Sequence, residues 1–459
     1  MIKRSLKEIS AMIGGEISDS SKEDLIINGV STDSRTICPG NLYIPLVGEV
    51  FDGRIFVKEC EDKGAAAFLI DKDFSVKSNI NIPFIIVEDT EKALRDLAKA
   101  YRAELDIKVI GITGSNGKTT TKDLLHSVLG QKYKVQKTMG NLNNQIGVPK
   151  TILSLDEDID IAIIEMGTDN FGDISLTTDI VKPDIAAILN IGDSHLHQLK
   201  SREGIAKAKM EITEGLDEDG IFIYNLDDEI LKKIVPSYEL KQKGMTFGTD
   251  ENADFVIERL SSKASGVDFK HNDEIYTVPL LGDHQIYNAG FAAMVGQIFD
   301  LSVEEINKGL NSVSTNHNRS YLHEFDGFDV LDDTYKSNPQ ALLTGLKTTY
   351  MLKGYGQKIV VLGDMLELGD KEEELHYQSG LDIDPNEIQY CLFFGPLSKH
   401  MYRASLENFP KSRVFHFDNK ADVCDKLKQL VTKSTLVFVK GSHGMHMEEI
   451  IECIRNLNI

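Results

Sequence analysis

Apolar runs alternate with amphipathic stretches over most of the chain. From about residue 106, the runs IKVIGI, IDIAIIEMG and PDIAAILNIG are separated by segments of helical periodicity such as TTTKDLLHSVLG. From about residue 315 a second series follows, with the runs KIVVLGD, QYCLFFG, RVFHFD and TLVFVKG. Buried strands that alternate with amphipathic helices are typical of parallel sheets covered on both faces. The pattern therefore predicts two doubly wound units.

The remaining stretches have a different texture. Residues 1 to about 90 hold short strand-like runs, Leu42 to Leu46, Ala65 to Ile70 and Phe84 to Val87, separated by turn clusters such as CPGN and FDGR. The polar segment KASGVDFKHNDEIYTVPL predicts a hairpin insertion, and a helix is predicted from about Gln285 to Phe299. We therefore predict an α/β fold with a small α/β domain (1–90), a central parallel-sheet nucleotide domain (91–314) and a Rossmann-like C-terminal domain (315–459). A length of 459 residues agrees with three domains of roughly 150 residues.

Charge and composition narrow the class of protein. The chain has 50 Lys and Arg against 72 Asp and Glu, a net charge of −22, so non-specific nucleic-acid binding is not expected. No apolar run reaches the ~18 residues of a membrane span, and the start MIKRSLKEISAMIGGE lacks the apolar block of a signal peptide. Membrane insertion is therefore not expected. The cysteines are scattered without C-x-x-C, which predicts free thiols and a cytoplasmic location: Cys38, Cys60, Cys391, Cys424 and Cys453.

The strongest motif is GITGSNGKTT (residues 111–120), directly after a predicted strand and before a predicted helix. Gly114 and Gly117 allow a tight turn whose N–H groups approach phosphate oxygens, and Lys118 adds a positive charge. Thr119 places a hydroxyl at a helix N-terminus, where it can hold Mg²⁺. The usual pattern has glycine where this chain has Ile112, so the loop is a variant. ATP or GTP binding is the prediction, and a glycine-rich turn without chemistry is the alternative.

Two short patterns raise the possibility of a GTPase. DNFG (169–172) fits D-x-x-G and NKAD (419–422) fits N-K-x-D. In a G domain the guanine-reading motif belongs to the sheet that carries the phosphate loop, whereas NKAD lies in a different predicted domain. Four-letter patterns of this kind also arise by chance. We therefore reject GTPase activity.

Two residues mark the ends of buried strands in the central domain. Glu165 ends IDIAIIE and His195 follows PDIAAILNIG. Ligands of open α/β sheets collect at the carboxyl ends of strands, where a carboxylate and an imidazole can share a divalent ion with phosphate oxygens and Thr119. His197 competes for this role. A purely structural His195 is the default interpretation, but the convergence of these residues on one sheet edge favours a metal ligand.

Lys209 lies on the apolar face of a predicted helix. In SREGIAKAKMEITEGL, a rotation of 100° per residue places Lys209 between Ile205 and Ile212, whereas Lys207 points to the opposite side. A lysine that faces a core is costly unless its charge is paired or removed. It either extends to the surface along its methylenes or is a neutral amine that CO₂ converts to a carbamate, an anionic metal ligand.

Several ordered stretches together resemble the Mur ligases along essentially the whole chain. The stretches are GVSTDSRTICPGNLYIPLVGEVFDG (29–53), TGSNGKTTTKDLL (113–125), GNLNNQIGVP (140–149), EMGTDNFGDI (165–174), SREGIAKAKMEI (201–212), DDTYKSNP (332–339), VLGDMLELG (361–369) and KGSHGMHMEE (440–449). Within the family, the resemblance is greatest to members that add D-alanyl-D-alanine to UDP-N-acetylmuramoyl-tripeptide. It implies an ATP-dependent amide ligase that works through an acyl phosphate in cytoplasmic peptidoglycan precursor synthesis. The first domain would bind the UDP-sugar, and the P-loop-type central domain would bind ATP. The protein is expected to be a monomer.

The resemblance also implies roles at matching motif positions. For catalysis these are Lys118, Glu165, His195 and Lys209. For ATP they are Gly114, Ser115, Asn116, Gly117, Lys118, Thr119, Thr120, Asn288, Arg319 and Asp333. For one or two Mg²⁺ ions they are Thr119, Glu165, His195 and Lys209, the last as its carbamate. For the UDP-muramoyl-peptide and D-alanyl-D-alanine they are Ser31, Asp33, Ser34, Arg35, Asn141, Asn143, Asn144, Lys336, Asn338 and His443. No motif identifies a general base.

The chain departs from the family pattern at three places. Lys336 stands where D-D-T-Y-N-A-N-P has asparagine, His443 where K-G-S-R-G has arginine, and Asp283 where a basic residue is usual near the hinge. Compensated drift is one interpretation, and a changed amine pocket with a different amine or carboxylate substrate is the other.

Two further classes compete with a peptidoglycan ligase. A folylpolyglutamate-type ligase usually has T-N-G-K-G-S in the loop and lacks the STDSR domain, so Thr119, Thr120 and residues 29–53 count against it. A non-catalytic paralogue that binds nucleotide as a scaffold would not need the retained Lys118, Glu165, His195 and Lys209.

Overall fold

The structure is a computed structural model that describes residues 1–48, 51–74, 79–263, 265–313, 319–455 and 457. The predicted α/β fold is confirmed: mainly parallel sheets, each with helices packed on it, follow one another along the chain. The predicted domain boundaries remain predictions, and the boundary between residues 314 and 315 lies outside the described residues.

The N-terminal part is a mixed sheet in the order β2-β7-β6-β5-β4, beside the antiparallel pair β1-β3. Its strands are β1 (Lys3–Ser5), β2 (Glu16–Ile17), β3 (Ile26–Asn28), β4 (Val30–Ser31), β5 (Leu42–Tyr43), β6 (Ala67–Asp71) and β7 (Phe84–Val87). Its helices are α1 (Leu6–Ile13), α2 (Val57–Asp62) and α3 (Thr90–Glu104). Helix α1 begins with a capping box in which Ser5 and Glu8 satisfy each other's backbone N–H groups.

The central part is a parallel sheet in the order β14-β13-β12-β11-β8-β10-β9. Its strands are β8 (Lys108–Thr113), β9 (Val135–Lys137), β10 (Ile161–Glu165), β11 (Ile185–Ile188), β12 (Ile221–Asn225), β13 (Lys243–Gly248) and β14 (Phe255–Val256). Its helices are α4 (Lys118–Leu129), α5 (Gly147–Ser154), α6 (Asp173–Val181), α7 (Leu196–Leu199), α8 (Arg202–Met210), α9 (Glu229–Ile234), α10 (Gln285–Ile298) and α11 (Val303–Asn311). Strand β8, which leads into the phosphate loop, lies between β10 and β11. The carboxyl ends of these three strands therefore meet at one edge of the sheet.

The predicted insertion is an antiparallel meander, β15 (Glu258–Lys263), β16 (Gly266–His271) and β17 (Glu274–Val278). Inward residues of this meander join the core that covers one face of the central sheet, where Phe269 and Tyr276 stack with ring centroids 5.1 Å apart. The insertion therefore extends the central domain instead of forming a domain of its own.

The C-terminal part is a sheet in the order β18-β19-β23-β20-β21-β22, parallel except for β18. Its strands are β18 (Tyr321–Glu324), β19 (Phe328–Asp333), β20 (Gln357–Gly363), β21 (Tyr390–Phe394), β22 (Val414–Phe417) and β23 (Thr435–Lys440). Its helices are α12 (Pro339–Met351), α13 (Glu372–Leu381), α14 (Ser398–Asn408), α15 (Lys420–Leu430) and α16 (Glu448–Ile454). NKAD starts α15, with Asn419 as its N-cap, on a different sheet from the phosphate loop, as the rejection of a GTPase requires.

The N-terminal and central parts share a hydrophobic core, whereas the C-terminal sheet has cores on each face that are largely its own. Helix α3 makes the connection: Tyr101 donates a hydrogen bond to the carbonyl of Leu155 (2.8 Å), and Arg102 donates to that of Val181 (2.9 Å). Because burying apolar area is the main stabilising term, these two parts are expected to move together.

The prediction of free thiols is wrong for two of the five cysteines. Cys424 on α15 and Cys453 on α16 form a disulfide, with Cα atoms 6.2 Å apart, whereas Cys38, Cys60 and Cys391 are free. The two helices pack side by side on the C-terminal sheet, and a separation of 29 residues concealed this proximity in the sequence.

None of the helices in the described ranges combines the length and the apolar character needed to cross a membrane.

Candidate active site

The phosphate loop connects β8 to α4, as predicted. Gly117, the N-cap of α4, has φ +82°, and a Cβ at this position would lie 2.6 Å from Oδ1 of Asn288. Both the left-handed backbone and the close approach of Asn288 require glycine here. Thr121 donates a hydrogen bond to the same Oδ1 (3.1 Å), which ties helix α10 to the start of α4.

The loop is also held from the end of β11. The N–H of Ser115 donates to the carbonyl of Asn190 (3.0 Å), and the Ser115 hydroxyl accepts from the N–H of Gly192 (2.8 Å). The side-chain Nδ2 of Asn190 donates a hydrogen bond to the carbonyl of Asn116 (3.0 Å). These bonds preorganise the loop, so ligand binding does not have to fold it.

Lys118 reaches back over the loop, and its Nζ donates to the carbonyl of Gly114 (2.6 Å). Burial lowers the pKa of Lys118, while the carboxylate of Glu165 opposes that shift. An ammonium folded back on its own loop is positioned to move onto a phosphate oxygen.

Glu165 ends β10 inside the sheet edge, with its side chain 3% exposed. Its Oε2 accepts from the hydroxyl of Thr119 (3.1 Å) and lies 3.4 Å from Nζ of Lys122, and its Oε1 accepts from Nδ2 of Asn143 (2.8 Å). Burial alone would raise the pKa of Glu165, but the charges of Lys118 and Lys122 and the amide of Asn143 give a net lowering. The carboxylate is therefore ionised at neutral pH.

The donor chemistry at this point fits a magnesium ion. A hydroxyl and a carboxylate are hard oxygen ligands, and Mg²⁺ usually takes one or two protein groups together with phosphate and water. No group of three or more His, Cys, Asp or Glu converges on a metal position within the described residues. The fit therefore rests on Thr119 and Glu165.

His195 lies at the same sheet edge in a left-handed conformation, φ +61°. Its Nδ1 is 2.9 Å from Oδ1 of Asp169 and 3.3 Å from Oε2 of Glu367, which comes from the C-terminal domain. His197, the competing candidate, is exposed and packs against Gly369, whereas His195 lines the cavity described below.

Lys209 is buried, as its helical position predicts. Its residue is 2% exposed, Ile205 and Ala208 on the same face are buried, and Lys207 is exposed. Burial, followed by the charges of Lys118 and Lys336, lowers the pKa of Lys209 well below its usual value. Extension to the surface is therefore wrong, and burial favours the uncharged form of the amine.

Residues from the C-terminal domain face the phosphate loop. The guanidinium of Arg319 lies 3.9 Å from the ring centroid of Tyr335, and within the described chain its buried Nε has no hydrogen-bond partner. Asp333 accepts from Nζ of Lys440 (2.5 Å), which also donates to the carbonyl of Lys336 (2.7 Å). Arg319 and Asp333 both line the space between the domains.

Direct contacts join the two domains. Asn338, the N-cap of α12, donates to Oδ1 of Asn116 (3.0 Å) and to the hydroxyl of Ser194 (3.1 Å). Gly369, with φ +67°, packs so closely that a Cβ there would lie 2.9 Å from the Cα of His197. The C-terminal domain therefore rests on the phosphate loop and on the segment after β11.

A cavity of about 1000 Å³ lies between the central and C-terminal domains. All predicted ATP, metal and catalytic residues line it: Gly114, Ser115, Asn116, Gly117, Lys118, Thr119, Thr120, Glu165, His195, Lys209, Asn288, Arg319 and Asp333. So do the predicted substrate residues Asn141, Asn143, Asn144, Lys336, Asn338 and His443. Sequence reasoning assigned no role to Asp169, Glu367, Tyr335 or Lys122, although the first three line the cavity. The only sign of their importance in the sequence is that each lies in one of the stretches that resemble the family.

The four substrate residues predicted in the first domain do not line this cavity. Ser31, at the end of β4, bonds the hydroxyl of Thr36 (2.8 Å), and Asp33 pairs with the exposed Arg35 (2.7 Å). Ser34 is buried and its carbonyl accepts from Lys63 (2.9 Å). These residues form a separate polar turn on the N-terminal sheet.

Asp283, one departure from the family pattern, has a partner of its own. Its Oδ2 accepts from Nη1 of Arg259 on β15 (2.6 Å). The ion pair ties the segment before α10 to the antiparallel meander, so the acidic residue has a structural role.

Models of Mur ligase domains match most of the chain. The Mur ligase family catalytic domain matches residues 26–102, the Mur ligase middle domain residues 112–296 and the Mur ligase glutamate ligase domain residues 319–443.

Individual proteins agree with these matches. The UDP-N-acetylmuramoyl-tripeptide–D-alanyl-D-alanine ligase of Bacillus subtilis is 41% identical over 455 residues, 98% of each chain. A crystal structure of MurF from Acinetobacter baumannii matches all of both chains with a TM-score of 0.90 and 26% identity. MurF ligase from Thermotoga maritima in complex with ADP matches 93% of this chain and 97% of that one, with a TM-score of 0.81 and 28% identity. The chain belongs to the Mur ligase family.

Proposed function

We propose that this protein is an ATP-dependent ligase that joins D-alanyl-D-alanine to UDP-N-acetylmuramoyl-tripeptide. The observation that carries the proposal is the cavity in which Lys118, Thr119 and Glu165 of the central domain face Arg319 and Asp333 of the C-terminal domain. The Bacillus subtilis relative, a UDP-N-acetylmuramoyl-tripeptide–D-alanyl-D-alanine ligase, and the ADP complex of the Thermotoga maritima relative support it.

The phosphate loop would hold the triphosphate. Backbone N–H groups at the start of α4 offer donors to phosphate oxygens, and Lys118 offers a charge that follows the γ-phosphate through transfer. The family resemblance would place Asn288 on the adenine side, and its side chain packs directly on Gly117 of the phosphate loop. Arg319 and Asp333 would reach the γ-phosphate and the ribose from the opposite domain.

Thr119 and Glu165 would hold magnesium, and His195 and carbamylated Lys209 are proposed as further ligands for one or two ions. A bound Mg²⁺ offsets the negative charge that accumulates as the phosphoryl group moves. We propose that Lys209 reacts with CO₂ because only an uncharged amine is nucleophilic, and its carbamate would replace a neutral buried amine with an anion able to serve as a metal ligand. His195 would be oriented by Asp169 and Glu367.

The reaction proceeds in two steps. The substrate carboxylate attacks the γ-phosphate, the bond to ADP breaks, and an acyl phosphate forms. The amine then attacks the acyl carbonyl, loses a proton and expels inorganic phosphate as the amide bond forms. Lys118 and Arg319 stabilise the charge on the transferred group in both steps.

The two substrates would approach from opposite sides. Ser31, Asp33, Ser34 and Arg35 would contact the uridine diphosphate on the first domain. Asn141, Asn143 and Asn144 would contact the muramoyl-peptide, since they line the cavity. Lys336, Asn338 and His443 would receive the dipeptide. We further propose a monomeric, cytoplasmic enzyme.

Phosphate release measured with UDP-muramoyl-tripeptide, D-alanyl-D-alanine, ATP and Mg²⁺ tests this function. Release is expected only when all four components are present, with the UDP-pentapeptide product identified by mass spectrometry. Release without the dipeptide would indicate an ATPase, and preference for a different amine in a panel of amino acids and dipeptides would show a changed substrate.

Lys336 gives a prediction about the dipeptide. Burial, followed by the charge of Lys118, lowers the pKa of Lys336 to about 7. Its positive charge is present below that pH and is lost above it. Because a charged hydrogen bond to the dipeptide carboxylate is worth a large factor in affinity, we expect Lys336→Asn to raise KM for D-alanyl-D-alanine about tenfold while lowering kcat less.

The pH dependence separates this role from a structural one. In the wild type, KM for the dipeptide should rise between about pH 6 and 8 as Lys336 deprotonates. In Lys336→Asn that rise should be much smaller. An unchanged KM in the variant would exclude Lys336 from the dipeptide site.

A further inference from the structure

Lys122 is a buried lysine for which the mechanism above has no role. It lies on α4 one turn after Lys118, and its side chain is 2% exposed. Burying an ammonium is costly unless its charge is paired and hydrogen-bonded, so the groups around Lys122 indicate its role.

Two partners from different segments hold the ammonium of Lys122. Its Nζ lies 3.4 Å from Oε2 of Glu165, the candidate magnesium carboxylate, and donates to the carbonyl of Gly140 (3.1 Å). Gly140 begins the segment that carries Asn141, Asn143 and Asn144. One side chain on the phosphate-loop helix therefore touches both the candidate metal ligand and the candidate substrate segment.

The same segment also reaches Glu165 directly. Nδ2 of Asn143 donates to Oε1 of Glu165 (2.8 Å), and the N–H of Gly167 donates to the carbonyl of Asn143 (2.7 Å). Each oxygen of Glu165 is thus fixed by a group that also positions residues 140–144. A shift of that segment cannot occur without disturbing the carboxylate.

We propose that Lys122 is a positioning residue that holds Glu165 and the Gly140–Asn144 segment in one arrangement, so that binding of the UDP-muramoyl-peptide sets the geometry of the magnesium carboxylate. The identity of the two ligands rests on the proposed function. Lys122 would touch neither ligand and would act through Glu165 and the Gly140 carbonyl.

Lys122→Met tests the proposal, because methionine keeps the apolar stem and removes the ammonium. Titration calorimetry without ATP and Mg²⁺ should show affinity for UDP-muramoyl-tripeptide reduced about tenfold, the loss expected when a charged hydrogen bond disappears. Affinity for ADP under the same conditions should stay within about twofold, because the loop bonds of Ser115 and Asn116 are intact. In turnover, KM for the UDP-substrate and the Mg²⁺ concentration for half-maximal rate should both rise.

Lys137→Met is the matched control. Lys137 pairs with Asp123 of the same helix (2.8 Å), and the hydrogen bonds and ion pairs of its ammonium in the described residues do not include Glu165 or Gly140. Replacing Lys137 removes its ion pair with Asp123 and should leave the affinity for the UDP-substrate unchanged. If Lys122→Met does not fold, Lys122→Gln, which is neutral but retains an N–H donor, takes its place with the same expectation.

The outcomes separate the two proposals. If the wild type and a folded Lys122 variant bind UDP-muramoyl-tripeptide equally well, the proposed role of Lys122 is wrong and the proposed function stands. Equal losses of ADP and UDP-substrate affinity, together with a lowered Tm, would assign Lys122 a merely structural role and also overturn it. Wild-type protein that does not bind UDP-muramoyl-tripeptide overturns the proposed function, and the role of Lys122 falls with it.

Discussion

Replacing Lys118 with alanine is expected to reduce kcat by at least about 10²–10³-fold, the cost of removing one charge-stabilising donor from a preorganised site. In the proposed mechanism the Lys118 ammonium would follow the γ-phosphate from ATP to the acyl phosphate, so its loss should affect the transition state more than the ground state. Folding should be little affected, because Nζ bonds only the carbonyl of Gly114 in the described structure. Steady-state phosphate release, compared with Tm from thermal unfolding, measures both effects.

Lys132 provides a control for the Lys118 result. It lies just beyond the end of the same helix, and its Nζ donates to the carbonyl of Asp300 (2.7 Å), away from the cavity. Lys132→Ala should retain wild-type turnover. A folded Lys118→Ala protein with near-normal activity would contradict the ATP site assigned to this loop.

The second large effect is expected at Lys209. Lys209→Ala should lose most activity, because it removes the buried amine from which the proposed carbamate would form. Formate should restore part of it, since a small carboxylate can occupy the vacated space and return an anion to the metal side. Phosphate release measured over a series of formate concentrations, with acetate for comparison, gives the extent of rescue.

Lys207→Ala is the control on the exposed face of the same helix and should behave as the wild type. Because Lys209 is buried, alanine there also creates a small cavity, so Tm must be compared for both variants. If the two alanine variants have the same activity and neither responds to formate, the carbamate is contradicted.

The sequence alone was sufficient to predict features that depend on a single helix, strand or loop. The burial of Lys209 followed from the periodicity of its own helix, and the phosphate loop followed from a strand, two glycines and a helix in direct succession. Strands β8, β10 and β11 of the central sheet and β20 to β23 of the C-terminal sheet were predicted from their apolar runs, the pattern of strands covered on both faces. The other strands of these two sheets were not predicted.

Contacts between distant segments were not predictable in this way. In the stretch TTTKDLL, nothing distinguishes Lys122 from an ordinary polar residue. Only the packing of α4 against β10 shows that it faces Glu165. The disulfide between Cys424 and Cys453 and the ion pair between Arg259 and Asp283 likewise depend on which helices and strands become neighbours. No local pattern encodes such pairings, because they are set by the topology of the whole sheet.

The packing of Gly369 against His197 bears on how this protein can be inhibited. The two domains meet there backbone to backbone, with no room for even a methyl group. The C-terminal sheet has largely its own cores, so parting the domains at this point leaves each one folded. A small molecule that inserted at Gly369 would bind only the separated arrangement and would draw the population towards it by mass action. Such a compound would prevent the two domains from coming together, and it would not need to resemble ATP or a sugar nucleotide.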